Sequence, residues 1–133
     1  DGARLAYALA CPENDVTLAD LAQLCDAFYI GGTKCGAMFG EAVVIPNPRL
    51  LPHMTTIIKQ HGALLAKGRL LGIQFDELFK DHLYDTIGQD AITYANQIRQ
   101  ACKKAGLPLY FENPTNQIFC LVTKEQMKNS LRK

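Results

Sequence analysis

Two short runs rich in aromatic and β-branched residues, Ala27–Ile30 and Glu41–Ile45, bracket the turn Gly31-Gly32-Thr33-Lys34-Cys35-Gly36. Runs of this kind, bounded by glycine or proline, read as strands that each bury one pleated face. The connection between them is short, so they are expected to pair as neighbours in one sheet with the turn at its end. Glycine has no Cβ, so the backbone can bend sharply at 31, 32 and 36 and a flat group could lie close against it. Lys34 is thereby delivered from an apolar strand into a glycine-lined turn.

A lysine in that position can act as a nucleophile toward an aldehyde and form a Schiff base. It does so only in its neutral form, which desolvation or a nearby cation makes available. The plain alternative is a solvated lysine on a glycine turn. Thr33 can offer its hydroxyl to an anion or satisfy the turn itself. Cys35 reads as a small residue filling a tight turn, although a thiolate beside an ammonium can be reactive.

Around this centre the remaining chain divides into helical and extended stretches. Val16 to Asp26 carries Leu18, Leu21, Ala22 and Cys25 at helical spacing, with Thr17 and Asp20 placed as a capping box. Pro46, Pro48 and Pro52 break the chain and introduce a helix. His53 to Lys80 reads as one long helix or two, interrupted by Gly62, Gly68 and Gly72, whose presence suggests close packing. Asp85 to Ala105 is an amphipathic helix with Ile87, Ala91, Tyr94, Ala95, Ile98 and Cys102 on its apolar stripe and Gly106 as its stop. Leu107 to Phe111 and Gln117 to Thr123 read as strands, and Lys124 to Arg132 as a helix.

Composition narrows the function classes. With 133 residues, 48% of them hydrophobic, the chain suffices for one domain with a core, or for part of one. A formal net charge of +1, with both signs interspersed, gives no footprint for nucleic acid or an anionic membrane. The basic clusters at 99–104 and 124–133 read as helix faces and a tail. Apolar stretches break off well short of the ~18 residues of a membrane span. Five cysteines at irregular spacing suggest neither a disulfide framework nor zinc, and reduced thiols of a cytoplasmic protein are expected. His53, His61 and His82 are too dispersed to suggest a metal site, and none is assigned.

Five segments then occur in a telling order: Asp1-Gly2-Ala3-Arg4-Leu5, the Lys34 turn, Gly40-Glu41-Ala42-Val43-Val44-Ile45, Lys67-Gly68-Arg69-Leu70-Leu71-Gly72-Ile73-Gln74-Phe75 and Asn113-Pro114-Thr115-Asn116-Gln117-Ile118-Phe119. Together they resemble the threonine aldolase and aromatic amino acid β-eliminating lyase family, whose members use pyridoxal 5′-phosphate. The resemblance implies an α/β fold: the end of a large cofactor-binding domain at 1–50, linking helices at 51–80 and a small α+β C-terminal domain at 81–133. It also implies a chain truncated at both ends, since the family's phosphate loop would precede Asp1 and a second substrate arginine would follow Lys133.

The same resemblance assigns roles. Lys34 would be the Schiff-base lysine. Asp1 would face the pyridine nitrogen and keep it protonated, so that the ring can accept electrons. Arg4 would grip the substrate carboxylate through two parallel hydrogen bonds, a task suited to a planar guanidinium. Arg69 and Thr33 would lie near the cofactor phosphate. A salt-bridged Asp1–Arg4 pair and a solvated Arg69 are the structural alternatives. The expected activity is retro-aldol cleavage of a β-hydroxy amino acid, with β-elimination and aminotransferase-like chemistry left open, in a homo-oligomer. The reading from another class is a non-catalytic α+β module whose apolar helix faces serve assembly.

Overall fold

A computed structural model describes residues 2–130 of the chain. The expected strands form as β1 (Phe28–Gly31) and β2 (Glu41–Val44). They pair antiparallel in the register Phe28↔Val44, Tyr29↔Val43, Ile30↔Ala42 and Gly31↔Glu41. The register puts Phe28, Ile30, Ala42 and Val44 against the core. On the other face Val43 is exposed, the alternation expected of a sheet with one wet side.

Seven helices accompany the hairpin among the described residues: α1 (Leu5–Leu9), α2 (Leu18–Leu24), α3 (Met54–Gln60), α4 (Arg69–Phe79), α5 (Leu83–Thr86), α6 (Gln89–Lys104) and α7 (Lys124–Ser130). The capping box is complete on α2. The Asp20 amide donates to the Thr17 hydroxyl at 3.2 Å, and the Thr17 amide donates to the Asp20 carboxylate at 2.8 Å. The core joins Ala6 of α1, Ile30 of β1, Cys35 and Ala37 of the turn, Phe75 and Leu78 of α4, and Tyr84 of α5. Elements far apart in sequence thus converge on the segment that carries Lys34.

Several expectations are corrected. Helix α1 is an element that the sequence reading does not predict, and Arg4 is the N-cap of its one and a half turns. The 53–80 stretch is two helices, α3 and α4, parted at Gly62 and Lys67, which both adopt a left-handed backbone with φ of 67° and 62°. Close packing accounts for Gly68, where a Cβ would stand 3.2 Å from the Leu65 carbonyl oxygen, and not for the other two glycines. A Cβ on Gly62 or Gly72 would meet nothing within 4 Å. Gly62 serves its turn, and Gly72 stands exposed inside α4.

The 85–105 helix begins at Gln89, after Gly88, whose missing Cβ lets the Ala6–Ala10 backbone and side chain pass close. Its buried positions are Ile92, Ala95 and Arg99: Ala95 of the expected stripe is borne out, Ile92 and Arg99 join it, and Tyr94 and Ile98 are exposed. The strands expected at 107–111 and 117–123 reduce to one antiparallel bridge, Leu109↔Cys120. Pro108 has no amide hydrogen, so the ladder has little to extend with. Residues 131 and 132, expected to be helical, lie outside the described residues.

Candidate active site

The Lys34 turn is held from three directions. Within the turn, the Cys35 amide donates to the Gly32 carbonyl at 3.0 Å, and the Ala37 amide to the same oxygen at 2.9 Å. From α5, the buried Tyr84 hydroxyl donates to the Gly31 carbonyl at 2.9 Å. From α1, the Tyr7 hydroxyl donates to the carbonyl of Lys34 itself. The loop that follows is clamped by α4. The Met38 amide donates to Gln74 Oε1 at 2.7 Å, and Gln74 Nε2 donates to the Phe39 carbonyl at 3.1 Å.

The result is a fixed backbone bearing exposed side chains at Thr33 and Lys34. That combination fits a covalently held cofactor, because the amine is accessible while its anchor is not free to move. The Thr33 hydroxyl makes no hydrogen bond among the described residues, so it does not serve the turn. Cys35 does: it is 8% exposed, its thiol points to the Gly31 and Gly32 carbonyls at 3.5 and 3.4 Å, and burial pushes its pKa up, away from thiolate.

The glycines act differently from the expectation that a flat group could lie against all three. A Cβ on Gly31 would stand 2.5 Å from the Gly2 carbonyl oxygen and 2.7 Å from Ala3 Cα. One on Gly32 would stand 2.7 Å from Ala37 Cβ and 3.1 Å from Phe75. The chain itself fills those spaces. Gly36 is exposed and serves the turn through its φ of 120°, where a Cβ would meet Leu78 and Ile87 at 3.7 and 3.9 Å.

What Gly31 admits is the start of the chain. Its amide donates to the Gly2 carbonyl at 2.8 Å, and Gly2 in turn sits so tightly on Tyr29 that no Cβ could be accommodated. Residues 2–4 are therefore pinned beside the end of β1, and Arg4 leaves this contact exposed at the head of α1. Asp1 lies outside the described residues.

Arg4 lines a cavity of about 270 Å³ with Ala3, Leu5, Ala8, Thr115 and Gln117. Two of the sequence motifs, the opening segment and Asn113–Phe119, thus face each other across one space. Lys34 is not among the lining residues. Arg69 is exposed as the first residue of α4, the helix whose Leu71 packs on Gly40 and whose Gln74 clamps the loop after Lys34. Arg69 is joined to the Lys34 turn through its helix, and no direct contact between the two side chains is seen.

Sequence reasoning missed Tyr7, Tyr84, Gln74 and Arg99. Arg99, placed with the basic helix face at 99–104, is only 7% exposed. Its guanidinium donates to the Asn96 side chain and to the Thr115 carbonyl. Thr115 is further shaped by Asn113, whose Oδ1 accepts from the Thr115 amide at 2.9 Å and hydroxyl at 2.8 Å. Arg99 thus fixes one wall of the Arg4 cavity. The one signal available was its spacing from Ile92 and Ala95, which puts it on their face of α6.

Over 100% of its length the chain is similar to a solved structure of Leishmania major threonine aldolase, with 45% sequence identity and a TM-score of 0.91. The kinship with the threonine aldolase family implied by the ordered motifs is thereby shown. The chain spans 39% of the length of that relative. No family model matches it, and no curated protein does.

Proposed function

We propose, proceeding from this kinship, that the chain carries part of the active site of a pyridoxal 5′-phosphate-dependent lyase that cleaves a β-hydroxy amino acid between Cα and Cβ. The observation behind this reading is the 2.8 Å bond from the Gly31 amide to the Gly2 carbonyl. It holds the Gly2–Arg4 segment against the strand that leads into Lys34. When bound, the cofactor supplies an electron sink for the pair released from the breaking bond.

The chain's own residues supply the rest. Lys34 offers an amine whose backbone is locked by Tyr7, Tyr84 and the Gly32 carbonyl, so it would hold the cofactor covalently from a fixed anchor. Arg4 binds the substrate carboxylate with its forked donors and so sets which bond at Cα is presented for cleavage. Asp1 would keep the ring nitrogen protonated. Thr33 contributes a hydroxyl donor to the phosphate, and Arg69 a cation at the head of α4. The complete enzyme is a homo-oligomer in this reading. Aldolase and β-elimination chemistry share all these roles and differ in the leaving group.

Incubation with pyridoxal phosphate, borohydride reduction and peptide mapping test the assignment. Selective modification of Lys34, abolished in Lys34→Ala, is the expected result. Modification spread evenly over the exposed lysines overturns it for this chain. A second reading, a non-catalytic assembly module, is favoured by apolar side chains left in the open, Met38 at 82% and Leu24 at 76% exposure. It predicts that even spread together with concentration-dependent self-association.

A further inference from the structure

Among the five cysteines, two meet. The Cys120 thiol lies 3.5 Å from Cys102 Sγ and donates to it. The two residues come from different elements, Cys102 from the last turns of α6 and Cys120 from the Leu109↔Cys120 bridge. That neighbourhood is tied down around them. The Leu107 amide donates to the Cys102 carbonyl at 2.9 Å, the Tyr110 amide to the Phe119 carbonyl at 2.8 Å and the Leu121 amide to the Pro108 carbonyl at 2.9 Å. Lys103 Nζ reaches Glu112 Oε1 at 3.1 Å, and the Phe111 and Phe119 rings stack 5.4 Å apart. The meeting of the sulfurs is therefore a property of the local fold.

We propose that Cys102 and Cys120 are a redox modification site, oxidised by a peroxide to a reversible cystine that staples α6 to the 107–121 segment. The sulfurs need to close by about 1.5 Å to reach the ~2.05 Å of an S–S bond, a movement within reach of side-chain rotation. Both residues are partly exposed, so a small oxidant has access. Cys11 and Cys35, by contrast, are buried and engaged with backbone carbonyls.

The chemistry balances with one peroxide. The Cys102 thiolate attacks a peroxide oxygen, the O–O bond breaks, and hydroxide leaves and takes a proton, which gives a sulfenic acid and water. The Cys120 sulfur then attacks that of Cys102. The S–S bond forms as the S–O bond breaks, and a second water departs with the Cys120 proton. Two thiols are oxidised and one peroxide is reduced to two waters. Cys120 donates its hydrogen to Cys102 Sγ, and that bond stabilises negative charge on the accepting Cys102 sulfur, which assigns first attack to Cys102 and resolution to Cys120.

Hydrogen peroxide treatment of the chain at neutral pH, followed by alkylation and non-reducing peptide mapping, is the test. The expected product is a peptide pair linked through Cys102 and Cys120, lost on adding dithiothreitol. In Cys120→Ser the link is absent and a dimedone-trapped sulfenic acid accumulates at Cys102. Cys102→Ser gives neither. Recovery of both thiols as separate alkylated peptides, at a dose that oxidises the partly exposed Cys25, overturns the proposal. So does linkage of Cys11, Cys25 or Cys35 in comparable yield, because the geometry would then not be selecting the pair.

Discussion

Tyr84 donates its hydroxyl to the Gly31 carbonyl at 2.9 Å and so ties α5 to the end of the strand that leads into Lys34. The side chain is 1% exposed, and its ring stacks on Phe79 with centroids 5.1 Å apart. Removing the hydroxyl while keeping the ring should leave packing intact and withdraw one buried donor, at a cost of about 1–2 kcal/mol. Urea unfolding of Tyr84→Phe measures this, with an unchanged m-value expected alongside a lower midpoint.

Burial also sets how that residue responds to base. Desolvation, followed by the nearby Cys35, pushes the Tyr84 phenol well above its ordinary value. In the unfolded chain the phenol ionises near pH ~10. The stability tied to the neutral phenol is thus fully present below that pH and is lost as pH rises beyond it. Unfolding free energy should fall with pH above ~10, and Tyr84→Phe should flatten that slope; an identical slope in both proteins would be the contrary result.

Arg99 is the buried cation of α6, and the Thr115 carbonyl depends on it. Arg99→Ala should cost about 2–3 kcal/mol, the scale of hydrogen bonds from a charged donor, and free the 113–117 loop. Amide exchange at Thr115 and Gln117 should speed up while exchange in β1 and β2 stays slow. Acceleration across the whole chain would indicate global destabilisation in its place.

How far the sequence carries depends on the range of the interactions. The hairpin and the α2 cap were legible because their causes are local: the β-branched Val43 and Val44, the glycine-bounded turn, and Thr17 placed ahead of Asp20. Lys34 stood out for the same reason. Tyr84 and Tyr7 did not, since a tyrosine announces neither its burial nor a carbonyl partner across 53 or 27 residues. Arg99 was misplaced because its charge argued for water while its position on α6 argued for the core, and position won. Composition argues for strands at 107–111 and 117–123, yet Pro108 limits the ladder and one bridge forms. Cys102 and Cys120 meet through tertiary packing that their spacing could not show.

The α2 cap has a pH signature of its own. Hydrogen bonds from the Thr17 hydroxyl first, and then from its amide, hold the Asp20 carboxyl below its usual value. Its contribution is present above the unfolded aspartate pKa of ~3.9 and is lost as pH falls through the lower folded value. Local melting of α2 on acidification below pH ~4 is expected, with Asp20→Asn insensitive over that window. Residue-resolved NMR of the Leu18–Leu24 amides reads it out.

Gly72 offers a gain. It sits exposed inside α4, and a Cβ there meets nothing within 4 Å. Gly72→Ala should stabilise the chain by about 0.5–1 kcal/mol through the lower backbone entropy of its unfolded state. A higher urea midpoint would confirm it, and a lower one would mean that a surface packs on this position.

Gly31 is the position at which fold and proposed chemistry depend on one missing atom. A Cβ there is directed at the Gly2 carbonyl and the Ala3 backbone, neither of which can rotate aside as a side chain could. Gly31→Ala must therefore push the 2–4 segment off the strand and break the 2.8 Å amide-to-carbonyl bond between Gly31 and Gly2. Lys34 keeps its own supports, because Tyr7 holds its carbonyl and Cys35 and Ala37 close the turn on Gly32. Arg4 loses its placement. The variant should thus retain borohydride trapping of pyridoxal phosphate at Lys34 while its residue-31 amide, the donor to the Gly2 carbonyl, loses protection from exchange. Retained protection there would show that the opening segment stays on the strand despite the added Cβ, and the link between Arg4 and the Lys34 turn would not depend on a bare Gly31.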